Sequence, residues 1–178
     1  HVSMMNLEEK YRDNCAVCTS PGKTFNLAGM QASNIFISDE RRREAVGRAR
    51  GHFSLNALSY KATELAYTRS EEWMREMLGY IDANKTFVTA FLREHLPFVK
   101  VTELEGTYLL WLDFRALGLS KQELEELMRK KAYLFLDEGY IFGRGGEGFE
   151  RLNLACPRRV LAGALERLEK AVLEIYRA

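Results

Sequence analysis

One lysine lies where covalent chemistry is expected. Lys23 belongs to the segment Ser20-Pro21-Gly22-Lys23-Thr24-Phe25-Asn26-Leu27-Ala28-Gly29, between apolar runs at 15–18 and 35–37. These runs predict buried strands, so Lys23 is expected on a loop just past the end of a core strand, an unusual place for a charged side chain. Burial can lower the pKa of such an amine so that it attacks carbonyl groups. The alternative is a solvated loop lysine, and position alone favours it.

The same residues invite a second interpretation, which fails. Gly22-Lys23-Thr24 looks like the end of the phosphate-binding loop G-x-x-x-x-G-K-[ST]. The first glycine of that pattern would fall at position 17, which is Val17. The backbone cradle that holds the phosphates is therefore missing, and we reject this loop.

Three later segments decide between the alternatives for Lys23. They are rich in glycine, aromatic residues and arginine, and they lie at 106–114, 143–149 and 151–157. Together with the lysine segment, and in this order, they resemble the motifs of fold-type I pyridoxal-phosphate (PLP) enzymes of the class I/II aminotransferase family. The resemblance is greatest to the cystathionine β-lyase branch, the MalY/PatB-type carbon–sulfur lyases. It extends over essentially all 178 residues, but over only the C-terminal half of such an enzyme.

The resemblance implies an α/β fold and a division of the chain. Residues 1–69 would be the C-terminal part of the large PLP-binding domain, including the end of its sheet. Residues 70–97 would form a long connecting helix. Residues 98–178 would form the small C-terminal α/β domain.

The resemblance also implies roles for individual residues. Lys23 would be the catalytic residue and would bind the PLP aldehyde. Ser20 would contribute a hydroxyl to the cofactor phosphate, although local turn capping is an equal alternative. Many aminotransferases carry a phosphate-binding arginine eight residues after the lysine; here that position is Gln31, which mildly favours the lyase branch. Arg151 would bind the substrate α-carboxylate with two parallel donors; the alternative is a structural ion pair with Glu147 or Glu150.

Three functions follow from this resemblance. The first is a PLP-dependent carbon–sulfur β-lyase that releases thiol, pyruvate and ammonia from cystathionine or a cysteine conjugate. The second is a class I/II aminotransferase, which would use the same lysine. The third is a catalytically incomplete fragment or a regulatory homologue, and we expect the isolated 178-residue chain to be inactive. The family further implies a homodimer in the cytoplasm.

Composition limits the other classes of function. The net charge of +1 gives no basic excess for a nucleic-acid surface. No apolar run reaches the roughly 18 residues of a membrane span, and no signal peptide is visible. Cys15 and Cys18 lie within a strand-like run, and Cys156 is too distant to complete a zinc site, so we expect reduced cysteines and no metal.

The elements that must position these residues follow from periodicity and capping signals. Strands are predicted at 14–19, 33–37, 99–104, 108–114, 134–136 and 151–155, the second antiparallel to the first because their connection is short. One helix is predicted to begin after Ser38, a second to cover 55–67, and a third to run from Ser70 to about His95. A fourth is predicted from a capping box of Ser120 and Glu123 to about Lys131, and a fifth over the C-terminal residues.

Overall fold

The structure, a computed structural model, describes residues 2–51 and 54–176, with the backbone alone at Tyr176. The α-helices in these ranges are α1 (Glu9–Arg12), α2 (Glu40–Arg50), α3 (Ala57–Arg69), α4 (Glu71–His95), α5 (Lys121–Glu126) and α6 (Arg158–Tyr176). The strands are β1 (Ala16–Thr19), β2 (Asn34–Ile37), β3 (Lys100–Val101), β4 (Leu109–Asp113), β5 (Asp137–Glu138) and β6 (Phe149–Asn153). The chain divides into two units, one ending at Met77 and the other beginning at Leu78.

The sheet of the first unit is an antiparallel ribbon of β1 and β2. Ala16 lies opposite Ile37, and Thr19 lies opposite Asn34, which confirms the predicted strand direction. The predicted burial is wrong, because Ile35 is 43% and Phe36 47% exposed. Too few described residues of this unit pack on the ribbon to cover its apolar side chains, and in these two strands only Ile37 is buried.

The helices of the first unit begin at side-chain caps. Asp39, and not the predicted Ser38, caps α2, because its carboxylate accepts a hydrogen bond from the Arg42 N–H at 2.8 Å. Asn56 caps α3 in the same way, so this helix starts at Ala57. Leu58, in the first turn of α3, is 74% exposed.

The second unit contains a four-stranded antiparallel sheet in the order β3-β4-β6-β5. Side chains of its two central strands alternate between the two faces. Leu110, Leu112 and Leu152 are buried on one face. The buried apolar residues on the described helices of this unit are Ile81, Val88, Leu92, Leu124, Leu127, Met128, Leu161, Leu165, Leu168, Ala171 and Val172.

Strand β5 differs from its prediction. Residues 134–136 are not a strand, and β5 lies at Asp137–Glu138 instead. Helix α5 begins at the predicted capping box of Ser120 and Glu123 and continues as a π-helical turn over 127–131. Tyr133 then adopts a positive φ of 53°, and the Leu134 N–H donates to the Met128 carbonyl at 2.8 Å. Leu134 therefore closes the end of this helix instead of entering the sheet.

The predicted long helix is confirmed as α4, and its second-unit part buries one polar side chain. Asn84 is fully buried. Its amide donates to the carbonyls of Leu154 at 2.8 Å and Cys156 at 3.0 Å, and its carbonyl accepts from Arg158 Nε at 2.7 Å. Asn84 thereby holds the segment between β6 and α6 against α4.

None of the helices in the described part of the chain combines the length and apolar character of a membrane span. The division of the chain into 1–69, 70–97 and 98–178 stays a prediction.

Replacing Asn84 with Ala should lower the free energy of unfolding by roughly 2–3 kcal/mol, because two buried carbonyls and the Arg158 guanidinium lose a partner together. Urea denaturation of the 178-residue chain measures this. Replacing the exposed Gln122 with Ala is the control and should change stability by less than about 0.5 kcal/mol. Equal stability of the two variants would contradict the role of Asn84.

Candidate active site

Lys23 lies on a turn that is closed by its own backbone. The Phe25 N–H donates to the Pro21 carbonyl at 2.9 Å, and the Leu27 N–H donates to the Gly22 carbonyl at 2.8 Å. The Lys23 side chain is exposed, and among the described residues it has no hydrogen-bond or ion-pair partner. A free primary amine is thus presented by an ordered turn that begins just after β1.

Ser20 holds the start of this turn. Its hydroxyl donates to the Ala32 carbonyl at 2.7 Å and accepts from the Gly22 N–H at 3.0 Å. The single hydroxyl hydrogen is already used, and a phosphate oxygen needs a donor. This geometry supports the turn-capping role of Ser20, and its role in cofactor binding stays a prediction.

Arg151 lies on the face of the second unit's sheet opposite to the leucine core. Its Nε and Nη2 both donate to one oxygen of Asp137, at 3.1 and 2.7 Å. The predicted alternative partners were Glu147 and Glu150, so the acid was assigned incorrectly. Asp137 is directly opposite Arg151 in the β5–β6 register, and this pairing was missed because β5 was predicted three residues too early.

One edge of the Arg151 guanidinium does not face Asp137. Among the described residues, Nη1 has no hydrogen-bond acceptor, and the side chain is 23% exposed. The group also stacks over the Phe142 ring, with its central carbon 4.3 Å from the ring centroid. The Nη1–Nη2 edge can therefore donate two hydrogen bonds to a carboxylate, while Asp137 and Phe142 hold the guanidinium plane in place.

The glycine-rich loop that carries Phe142 is tightly closed. A Cβ at Gly146 would lie 2.0 Å from the Gly139 carbonyl oxygen, and a Cβ at Gly139 would lie 2.1 Å from the Gly146 oxygen. Only glycine at both positions permits this backbone approach. Gly143 between them has a φ of 116°.

Glu150 lies on the opposite face of β6 from Arg151. It is 1% exposed, and its Oε2 has no hydrogen-bond partner among the described residues. Burial, with the nearby carboxylates of Glu138 and Glu125, raises the pKa of Glu150 to about 8. The side chain is therefore protonated at neutral pH, and it is not available to balance Arg151.

Lys23 and Ser20 belong to the first unit and Arg151 to the second. Sequence reasoning missed Asp137, Phe142 and Phe149; the register of β5 on β6 would have been needed to find the first. In the described residues no group of three His, Cys, Asp or Glu side chains could hold a metal ion. The three cysteines are free thiols.

With this geometry in place, the chain can be assigned to a family. It belongs to the class I and II aminotransferases, because the profile "Aminotransferase class I and II" matches residues 3–168. The predicted family is confirmed.

Individual relatives refine the assignment. Cystathionine beta-lyase PatB of Bacillus subtilis is 40% identical over 97% of this chain and 45% of its own length. The crystal structure of cystalysin from Treponema denticola, which contains a pyridoxal 5'-phosphate cofactor, matches with a TM-score of 0.92 and 42% identity over 96% of this chain and 44% of cystalysin. A PLP-bound putative aminotransferase from Clostridium difficile gives a TM-score of 0.90 and 40% identity over 97% and 45%.

These relatives confirm the predicted resemblance to the PatB branch and the predicted fold class, part of a fold-type I PLP-dependent enzyme. The chain spans less than half the length of the relatives it matches.

Stability should depend on pH through Glu150. The unfolded chain releases this proton near the ordinary pKa of 4.5, and the folded chain releases it near 8. Between these values the folded state binds the extra proton, so the free energy of unfolding should fall as pH rises from 4.5 to about 8, by a few kcal/mol at most. Urea denaturation at pH 5.5 and 8.5 measures the fall.

Glu150→Gln should reduce this dependence, since a neutral amide occupies the same volume. The exposed Glu76→Gln is the matched control and should keep the wild-type dependence. An unchanged pH dependence in Glu150→Gln would show that another group carries the buried proton.

Proposed function

We propose that the whole protein is a PLP-dependent carbon–sulfur β-lyase acting on cystathionine or a related cysteine conjugate. The observation that carries this proposal is Lys23, an amine without a partner among the described residues, on a closed turn after β1 in a chain 40% identical to PatB. Products would be a thiol, pyruvate and ammonia.

The donor set of the first unit fits PLP in part. Lys23 offers the primary amine that an aldehyde requires, while Ser20 has its hydroxyl hydrogen engaged and Gln31 supplies no charge. Lys23 would hold the cofactor, and any phosphate contact from this segment would be uncharged. When bound, PLP supplies an electron sink for negative charge at the substrate Cα.

Lys23 would then move protons. Once the amino group of the substrate has replaced Lys23 on the cofactor, the freed Nζ would remove the α-proton of the substrate and would return a proton to the sulfur as the Cβ–S bond breaks. The thiol leaves, and the remaining three-carbon unit reacts with water to give pyruvate and ammonia. Arg151 would bind the α-carboxylate through its Nη1–Nη2 edge, which fixes the direction of the Cα–H bond.

The second candidate function is amino transfer, favoured by the 40% identity to the C. difficile putative aminotransferase. Product analysis separates the two. Pyruvate and ammonia formed without a keto-acid acceptor identify the lyase, and strict dependence on an acceptor identifies the aminotransferase.

By family resemblance we further propose a homodimer in the cytoplasm. For the isolated 178-residue chain we propose weak PLP binding and no turnover, because Ser20 and Gln31 offer no charged partner for the phosphate. Measured turnover by this chain would contradict that proposal. A regulatory homologue is the remaining possibility, and it would bind PLP without releasing thiol.

Replacing Lys23 with Ala should abolish the yellow, borohydride-reducible adduct that the protein forms with PLP, because no other amine lies on this turn. Visible absorbance before and after reduction measures the adduct, and mass spectrometry locates it. Lys61→Ala is the control, since Lys61 is an exposed first-unit lysine paired with Glu64. An adduct that persists in Lys23→Ala would defeat the assignment.

Replacing Arg151 with Lys should weaken binding of the amino-acid substrate by about tenfold or more in the PLP-loaded protein, because an ammonium cannot offer two parallel donors. The change of the absorbance spectrum with substrate concentration measures the affinity. Arg159→Lys, an exposed change on α6, is the control. Equal affinities in both variants would mean that Arg151 only pairs with Asp137.

A further inference from the structure

An aromatic cavity opens on the same face of the second unit's sheet as Arg151. It has a volume of about 340 Å³ and is lined by Thr102, Trp111, Phe142, Gly145, Gly146 and Phe149. Apart from the Thr102 hydroxyl and backbone groups, the lining is carbon and an indole ring. The cavity therefore suits a ligand group without charge.

The three rings form two edge-to-face pairs around Trp111. The Trp111 and Phe142 centroids are 5.3 Å apart at 69°, and those of Trp111 and Phe149 are 6.1 Å apart at 72°. Phe142 is 49% exposed, so a large aromatic surface faces solvent. Such rings attract apolar carbon and divalent sulfur at their edges and faces.

The cavity and the candidate carboxylate site share a wall. Phe142 contacts the Arg151 guanidinium as well as Trp111, and Trp111 is directly opposite Arg151 in the β4–β6 register. A ligand whose carboxylate meets the free edge of Arg151 would thus have its side chain beside the rings.

We propose that this cavity is a specificity subsite that takes the substituent on the substrate sulfur, and that the preferred substituent is apolar, an aryl or alkyl group. This inference rests on the proposed lyase function and adds the class of conjugate to it. Trp111, Phe142 and Phe149 are its specificity-determining residues.

The charges beside the cavity support an uncharged substituent. Arg115 stacks over Phe149 at 4.7 Å, but Asp113 binds it with both carboxylate oxygens, at 2.9 and 2.8 Å. Asp113 also accepts from the Arg115 backbone N–H at 3.0 Å and has a side chain only 13% exposed. Arg115 lowers the pKa of Asp113, so this pair stays ionised and closed. Asp137 binds Arg151 with only one of its oxygens, and its side chain is 49% exposed. Its negative charge would therefore disfavour an anionic substituent.

The test uses the two tryptophans of the chain as reporters. Trp111 and Trp73 are labelled as 5-fluorotryptophan and assigned with Trp73→Phe, and the fluorine NMR spectrum is followed during titration. S-benzyl-L-cysteine should shift the Trp111 resonance and leave Trp73, in the first unit, unchanged. Its affinity should exceed those of S-methyl-L-cysteine and L-cystathionine by about tenfold, since only the benzyl group fills the cavity with apolar surface.

Variants separate the subsite from the carboxylate site. Phe149→Ala should reduce the affinity for S-benzyl-L-cysteine to that for S-methyl-L-cysteine and change the latter by less than twofold, because Phe149 lines the cavity next to Trp111. Phe149→Leu, which keeps an apolar wall, should restore part of the loss. Arg151→Gln should weaken both ligands by the same factor.

Two results would overturn the subsite: cystathionine binding as tightly as the benzyl ligand, or no Trp111 shift with any of the three. The proposed function is judged separately by the Lys23 adduct. An adduct at Lys23 without a Trp111 shift refutes the subsite alone. A Trp111 shift without an adduct refutes the PLP chemistry of Lys23 and keeps the cavity as an amino-acid site.

Discussion

The second unit depends on the position of β6 between β4 and β5. This pairing sets which of its side chains face the leucine core and which face outward. Leu152 and Glu150 lie inside, and Arg151 lies outside next to Trp111. A slip of one residue would exchange the two sets and place a guanidinium among the leucines. The same hydrogen bonds that build the sheet therefore also place the candidate carboxylate site.

Two buried polar side chains show how closely the core is specified. Asn84 satisfies three polar groups at the junction of β6 and α6, so it stabilises only one arrangement of that segment. Glu150 is accommodated as a neutral acid, in a region where Glu138 binds Arg129 and Glu125 binds both Arg129 and Tyr140. The Oε2 atom of Glu150 has no hydrogen-bond partner among the described residues, so burial of this side chain costs stability.

Features set by neighbouring residues were predicted more successfully than features set by contacts between distant residues. The capping box at Ser120, the long helix α4 and the antiparallel direction of β2 all follow from neighbouring residues, and each is confirmed. Burial of β1 and β2 was predicted wrongly, because apolar composition does not reveal whether another layer is present to cover a strand. The partner of Arg151 was missed for a related reason: Asp137 is 14 residues away and meets it only through strand register.

The residues of the candidate site also fall into those that neighbouring residues reveal and those that only tertiary packing reveals. The Lys23 segment could be interpreted from a contiguous motif, whereas Phe142 and Phe149 gain their importance from packing around Trp111. A short aromatic spacing in the sequence carries no information on whether the rings form a core or border a cavity. Only the alternation of β4 and the path of the loop at 139–148 settle that Trp111 faces outward.

The contact between Gly139 and Gly146 has a consequence for how this protein could diversify. Because the two backbones meet directly, the ends of the loop are held together, and a side chain at either position would break the contact. The side chain at 142 lies between these ends and is half exposed, so it can be exchanged without a clash of that kind. Natural variation or laboratory selection would therefore remodel the cavity by substitutions at its rim, with the two glycines held constant.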